Sequence, residues 1–413
     1  MIELYGKYTS AKIMTDDLEP ECISQIERII NHPVFTNQVV IMPDAHAGKG
    51  SVIGFTMPLS DFVIPNVIGV DIGCGMVCAS IGNDLKEHPE KADKKIQSVV
   101  PMGTSIHKKQ VFQDFNYNEI NKRLSLFLKA IRKRFNIDVQ PIEIDKYWIK
   151  DKIRQTGIEP ERFFNSVGTL GGGNHFIEIG KSEDEYFLTI HSGSRNFGLK
   201  TAEYWQNVAI KNMSSGDETS DRKSKKSKKK KIPFRDRELA CLEGKEMMSY
   251  LIDMLFAQYY AHLNRMKMLE LITDKLHWQI QGELIESVHN YIDLSDFIIR
   301  KGAIKAMEGQ KLIIPFNMRD GIMICEGKGN QEWNYSAPHG AGRIMSRSKA
   351  KQLIDLEEYR NSMKGIYSSC INKDTIDESP MVYKNPALIE RLIEPTAKVL
   401  FKIKPVLNIK AAE

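Results

Sequence analysis

The sequence predicts an α+β domain, and two observations carry that prediction. Short runs rich in β-branched residues, four to eight long and punctuated by glycine and proline, recur in both halves of the chain, with longer helix-period stretches between them. The runs and the helical stretches also interleave irregularly, without the regular strand–helix alternation of a doubly wound parallel sheet.

Each element follows in order. QVVIMPD, SVIGFTMPL and FVIPNVIGVDIGCGMVCAS read as strands joined by tight turns. Helical periodicity spans 118–154 and is clearest in LSLFLKAIRKRF. Beyond Gly171-Gly172-Gly173, HFIEIG and YFLTIHSG read as two further strands. Residues 214–233 (SSGDETSDRKSKKSKKKKIP) are low in complexity and offer no apolar face, so they read as a disordered basic loop, with contact to RNA phosphates as the functional alternative. A long amphipathic helix is expected over 236–269. Strands return at LIIPF and IMICEG, before an apolar-basic tail, VLFKIKPVLNIK.

A chain of 413 residues can bury one large core or two ordinary ones, so size leaves the domain number open. No apolar stretch approaches the ~20 residues needed to cross a bilayer. The longest, 62–70, contains Pro65 and Asn66 and reads as a buried strand or turn. MIELYGKYTS lacks the basic start and apolar run of a secretory leader, so the expected location is cytoplasmic. Cys22, Cys74, Cys78, Cys241, Cys325 and Cys370 lack the close, even spacing of a disulfide scaffold, which leaves thiols or metal ligands. The formal charge of +5 permits a polyanionic partner without requiring one, because much of it lies in the lysine run.

Chemistry concentrates in glycine-flanked positions. In Asp71-Ile72-Gly73-Cys74-Gly75 a carboxylate and a thiol three apart can turn toward one ion, and their mixed hardness suits Mn²⁺, Zn²⁺ or Fe²⁺ better than Mg²⁺. Taken alone, Cys74 reads better as a small buried apolar residue. Histidines shift the balance: His46, His175, His191, His289 and His339 each sit beside glycine or asparagine or one residue from them, whereas His32, His88, His107, His262 and His277 lack a glycine-rich setting and read as surface or structural. LGGGN (170–174) and HGAGR (339–343) are small-residue runs whose amides can cradle anionic oxygens, and Arg195, Arg343 and Arg347 can add charged contacts to phosphate. Neither run is a P-loop. Strand parity sets Asn174 and Glu178 on one face and His175 on the other, unless the preceding glycines break the regularity.

The ordered blocks MPDAHAGKG, IGVDIGCGM, GTLGGGNHFIE, IHSGSRNFG, HN, APHGAGRIMSR and DESPMVYK resemble the RtcB RNA ligases, across essentially the whole chain except the lysine-rich insert. The resemblance implies one α+β domain over 1–413 with a deep metal and nucleotide cleft. It implies an activity too, the joining of an RNA 3′-phosphate or 2′,3′-cyclic phosphate to a 5′-hydroxyl, with GTP and two Mn²⁺ ions. By this likeness Asp71, Cys74 and His175 hold one ion, and Cys74, His191 and His289 hold the second. His339 takes GMP, oriented by Asp44. Asn174, His175, Phe176, Ile177, Glu178, His289, Asn290, His339, Gly340, Ala341 and Gly342 match nucleotide-contacting stretches. Lys410 matches a lysine that meets guanine, and Tyr383 falls at a further pocket position. One stretch departs: Asn317 and Met318 lie in Pro315–Gly321, where archaeal members have a serine-containing loop, which bears on guanine selectivity. Bland alternatives remain, with Asp71 as a turn cap, Glu178 as a rim charge, Lys410 as a tail residue and Tyr383 as core. So do two other functions, a cyclic-phosphate esterase needing metals but not His339, and a non-catalytic RNA binder needing neither.

Overall fold

The computed structural model describes residues 1–136, 140–218 and 236–411. Among these, a six-stranded sheet runs Ile2–Tyr5, Ser10–Ile13, Val39–His46, Ile53–Pro58, Ile298–Lys301, Asn290–Ile292. Only Ser10–Ile13 and Val39–His46 pair in parallel within it. A seven-stranded antiparallel sheet runs Gln281–Val288, Gly75–Gly82, Glu185–Ser192, Phe176–Ser182, Ala397–Ile409, Ile322–Gly327, Lys311–Pro315. The fold is α+β. His289 alone separates the last residue of Gln281–Val288 from the first of Asn290–Ile292, so the chain passes from one sheet to the other through it.

The helix Gly244–Leu276 is the spine. It starts later than the expected 236–269, because a 3-10 turn at Arg237–Leu239 and a short strand at Leu242–Glu243 come first. Nor is it amphipathic: Tyr250, Leu251, Met254, Phe256 and Tyr260 pack into one core, and Met268, Leu269, Ile272 and Leu276 into a second. Nearly every position over 247–261 is buried, as befits a helix enclosed by neighbours, while Glu270, Asp274 and Lys275 stay exposed in its last turns. Here those neighbours are Pro89–Val99, Tyr117–Phe135, Arg195–Glu218 and the strand Glu185–Ser192.

Other expectations need adjustment. The stretch 118–154 forms two helices, Tyr117–Phe135, closed by Asn136 at φ 51, and Lys146–Thr156, capped by the Asp145 carboxylate. Residues 62–70 give only a two-residue strand, Phe62–Val63, and then the helical turn Pro65–Ile68. The helix Arg195–Glu218 carries into the segment expected to be a loop from 214, while 219–233 lie outside the described residues. No described helix is long and apolar enough to cross a membrane.

Candidate active site

Strand register gathers the candidate ligands. Gly75 pairs with both Val288 and Ser192, and His191 pairs with Phe176. Cys74 precedes Gly75, His289 follows Val288, and His175 precedes Phe176, so all four arrive at one end of four neighbouring strands. Asp71 joins them from the turn in which Cys74 N donates to Asp71 O. Gly193 leaves room for this carboxylate, since a Cβ there would run into the Asp71 oxygens.

The donor atoms are close and mostly buried. Cys74 Sγ lies 3.4 Å from His175 Nε2 and 3.3 Å from His191 Nε2, and His191 Nε2 lies 3.2 Å from His289 Nε2. Asp71 Oδ2 is 2.9 Å from His175 Nε2. Two carbonyls set the tautomers. His175 Nδ1 donates to Leu170 O at 3.0 Å and His191 Nδ1 to Asn174 O at 3.1 Å, which leaves both Nε2 atoms as ligand lone pairs. His175 stands in the turn before the strand, so strand parity does not govern it.

These atoms form two overlapping sets, Asp71–Cys74–His175 and Cys74–His191–His289, with Cys74 common to both. A tetrahedral centre with bonds of about 2.0–2.3 Å has donor–donor edges of about 3.3–3.8 Å. The sulfur–nitrogen separations match that range, while the His191 Nε2–His289 Nε2 and Asp71 Oδ2–His175 Nε2 separations fall below it. The residues fit a pair of borderline divalent ions sharing one sulfur. Burial raises the Asp71 carboxyl, but the polar groups around it outweigh that and hold it low, so it stands as a carboxylate. Burial and the Asp71 charge push the Cys74 thiol well up. Burial keeps His191 and His289 well below the ordinary imidazole range, hence neutral.

The second half of the site comes from the other sheet. Asp44, in the strand Val39–His46, is fully buried, and its Oδ2 accepts from His339 Nδ1 at 2.6 Å and from His339 N at 3.2 Å. His339 follows the strand Ser336–Pro338, and its ring centre lies 4.8 Å from that of His289. With Nδ1–H held by a carboxylate, Nε2 keeps its lone pair.

Both halves border a cleft of about 440 Å³. Asn174, Phe176, Glu178, His191, Asn317, Met318, His339, Gly340, Ala341, Gly342, Arg343, Arg347, Tyr383 and Lys410 line it. Of the candidate ligands only His191 lines it, so His175 and His289, expected at the nucleotide as well, do not. Four further expected residues stand apart. Ile177 points into the core on the opposite face of its strand, and Asn290 Oδ1 accepts from Gly302 N. Arg195 is tied to Thr169 Oγ1 and Gly103 O, and Asp44 sits behind His339.

Sequence reasoning left Glu378 without a role although its block was noticed. Lys410 Nζ and Tyr383 OH both donate to Glu378 Oε2 at 2.6 Å, and Arg347 and Arg343 reach Oε1 at 2.6 and 3.3 Å. Burial raises this carboxyl, but Lys410 and Arg347 hold it at about 2. Arg347 also pairs with Asp377 at 2.7 Å. Two of the three arginines expected to meet phosphate, Arg343 and Arg347, are therefore already engaged with buried acids. Asn408, also missed, donates to Glu178 Oε2 at 2.7 Å and lines the cleft; its place two residues before Lys410 on one strand face was a usable signal.

Comparison with known proteins agrees with this geometry. The family model described as tRNA-splicing ligase RtcB matches residues 25–411. The chain belongs to the RtcB family. It is 31% identical to the RNA-splicing ligase RtcB of Escherichia coli (strain K12), covering 95% of both chains. It is 27% identical to the tRNA-splicing ligase RtcB of Aeropyrum pernix, covering 84% of this chain and 82% of that protein. To the tRNA-splicing ligase RtcB of Nanoarchaeum equitans it is 26% identical, over 98% of this chain and 94% of that one.

Proposed function

We propose that this RtcB-family chain is an RNA ligase that joins a 3′-phosphate or 2′,3′-cyclic phosphate end to a 5′-hydroxyl end, using GTP and two Mn²⁺ ions. The observation that carries the reading is His339. Its ring stands 4.8 Å from that of a candidate metal ligand and its Nδ1–H is held by a buried carboxylate, on the wall of a nucleotide-sized cleft. A metal-dependent esterase that opens the cyclic phosphate with metal-activated water does not require a nucleophilic imidazole.

Asp71, Cys74 and His175 would hold one ion and Cys74, His191 and His289 the other. Paired cations there would neutralise charge on the phosphates during in-line displacement. His339 Nε2 attacks the α-phosphorus of GTP; a P–N bond forms as the bond to pyrophosphate breaks. The ring becomes cationic, and Asp44 stabilises it through Nδ1–H. A 3′-phosphate oxygen of RNA then takes the GMP as the P–N bond breaks, and the 5′-hydroxyl displaces GMP to close the phosphodiester. A cyclic phosphate is first opened by water.

Guanine is supported by the cleft's unpaired acceptors. Glu178 Oε1 and Asn408 Oδ1 are buried without a partner, and the guanine edge offers N1–H and the N2 amine, which would meet Asn408 Oδ1 and, once Glu178 gives up its proton, Glu178 Oε1. Lys410 and Tyr383, both on Glu378, would complete the pocket. Incubation with labelled GTP and Mn²⁺, followed by denaturing electrophoresis, tests the reading. The wild-type chain is expected to carry a covalent GMP label and His339→Ala none, a loss of about 10³-fold or more for a missing nucleophile. Undiminished label on His339→Ala overturns the assignment. Cyclic-phosphate opening by a wild-type chain that takes no label leaves the esterase instead.

A further inference from the structure

The spine helix Gly244–Leu276 sends two fully buried polar residues beneath the donor set, and neither belongs to it. Asn264 Oδ1 accepts from Gly168 N at 2.8 Å and Thr169 N at 3.0 Å, while Nδ2 donates to Ser192 Oγ and Gly193 O, each at 3.0 Å. Arg265 Nη1 donates to Gly73 O and to Ser192 O, each at 2.9 Å. The rest of the guanidinium is committed to Glu286 Oε1, with Nη2 at 2.6 Å and Nε at 3.2 Å, and His262 Nδ1 meets the same carboxylate at 3.1 Å.

The two carbonyls are informative. Gly73 is the residue before Cys74, and Ser192 is the residue after His191. One planar cation thus bridges the backbones that carry the shared thiol and an imidazole of the second set. Burying a guanidinium is costly, and apolar side chains of similar volume often fill such a space at least as stably. What the fork supplies is fixed geometry. Its donors diverge at set angles, which a lysine ammonium does not reproduce.

We infer that Arg265 is a positioning residue for the metal centre, holding Cys74 and His191 at ligand spacing before any ion arrives. The inference rests on the reading that Asp71, Cys74, His175, His191 and His289 take divalent cations. Loss of the fork frees the Gly73 carbonyl, and Cys74 moves with it. Groups that orient ligands from behind typically cost about 10–100-fold in metal affinity when removed.

The test is direct metal binding by the full chain, without RNA or nucleotide. Co²⁺ is titrated by the thiolate-to-cobalt absorption band, and Mn²⁺ by the magnetic resonance signal of the free ion. Wild type is expected to bind both. Arg265→Met should weaken binding about 10–100-fold, with Arg265→Lys lying between the two. Glu286→Ala, which removes the acceptor aiming the guanidinium, should weaken binding less. Wild-type affinity in a folded Arg265→Met overturns the inference. If that variant does not fold, Glu286→Ala decides, and wild-type affinity there overturns it equally. A wild-type chain that binds neither ion overturns the metal-centre reading as well, so the two failures are distinguishable.

Discussion

Glu178 behaves unlike an ordinary glutamate. Burial pushes its carboxyl up to about 8, and the Asn408 hydrogen bond and the Lys410 charge oppose that only in part. The folded form therefore keeps a proton that the unfolded chain releases near pH ~4.3. Stability contributed by this group is full below that pH and is lost as pH rises through about 8. Urea denaturation of wild type and Glu178→Gln at pH 5 and pH 8.5 should show wild type losing a few kcal/mol relative to the variant, at ~1.4 kcal/mol per pH unit. A gap that does not change with pH would sink the claim. At this scale the sequence was readable where a ligand type met a glycine: Cys74, His175, His191 and His339 stood out for that reason. It was unreadable where a charge is cancelled from afar. Arg343 and Arg347 advertised phosphate contacts, yet their partners Asp377 and Glu378 lie some thirty positions on, and nothing local announces the pairing.

Elements bring these side chains together through close backbone approach. Gly342 sits at φ 76, and a Cβ there would stand 2.2 Å from Asp44 O, so the turn after Ser336–Pro338 packs directly on the strand that carries Asp44. Gly342→Ala should cost about 1 kcal/mol for the backbone conformation alone, plus a clash that pushes the His339 turn off Asp44. The expected outcome is a lower melting temperature and slower formation of the GMP adduct. An adduct rate equal to wild type would show that the contact does not set the site. β-branched runs between glycines were legible as strands, but Ile2–Tyr5, Ser10–Ile13, Gln281–Val288, Asn290–Ile292 and Ile298–Lys301 were passed over, and the apolar-basic tail is the strand Ala397–Ile409. Helices were read unevenly too. Pro20–Ile30 and Pro89–Val99 are short, each opened by a proline, and were passed over. The spine helix was found, but the near-complete burial of 247–261 was hidden, because an apolar surround depends on which elements pack against it.

For the molecule as a whole, the candidate centre lies where the two sheets join. His289 is the single residue between them, Cys74, His175 and His191 come from the seven-stranded sheet and its approaches, and Asp44 with its partner His339 faces them from the other side. Ions bound there would tie together segments more than two hundred residues apart in sequence, from Asp71 to His289. Because such a site is absent from the unfolded chain, binding must raise stability by about 2.7 kcal/mol per site at a hundredfold excess over its dissociation constant. Thermal unfolding should therefore shift upward by some degrees when Mn²⁺ is added to chelator-treated protein, and return on chelation. Cys74→Ala should abolish the shift, since one sulfur serves both donor sets, while His339→Ala, which lacks the proposed nucleophile but keeps all five candidate donors, should retain it. A Mn²⁺-dependent shift of wild-type size in Cys74→Ala would mean that the ions bind elsewhere, and the sheet junction would then be only a fold boundary.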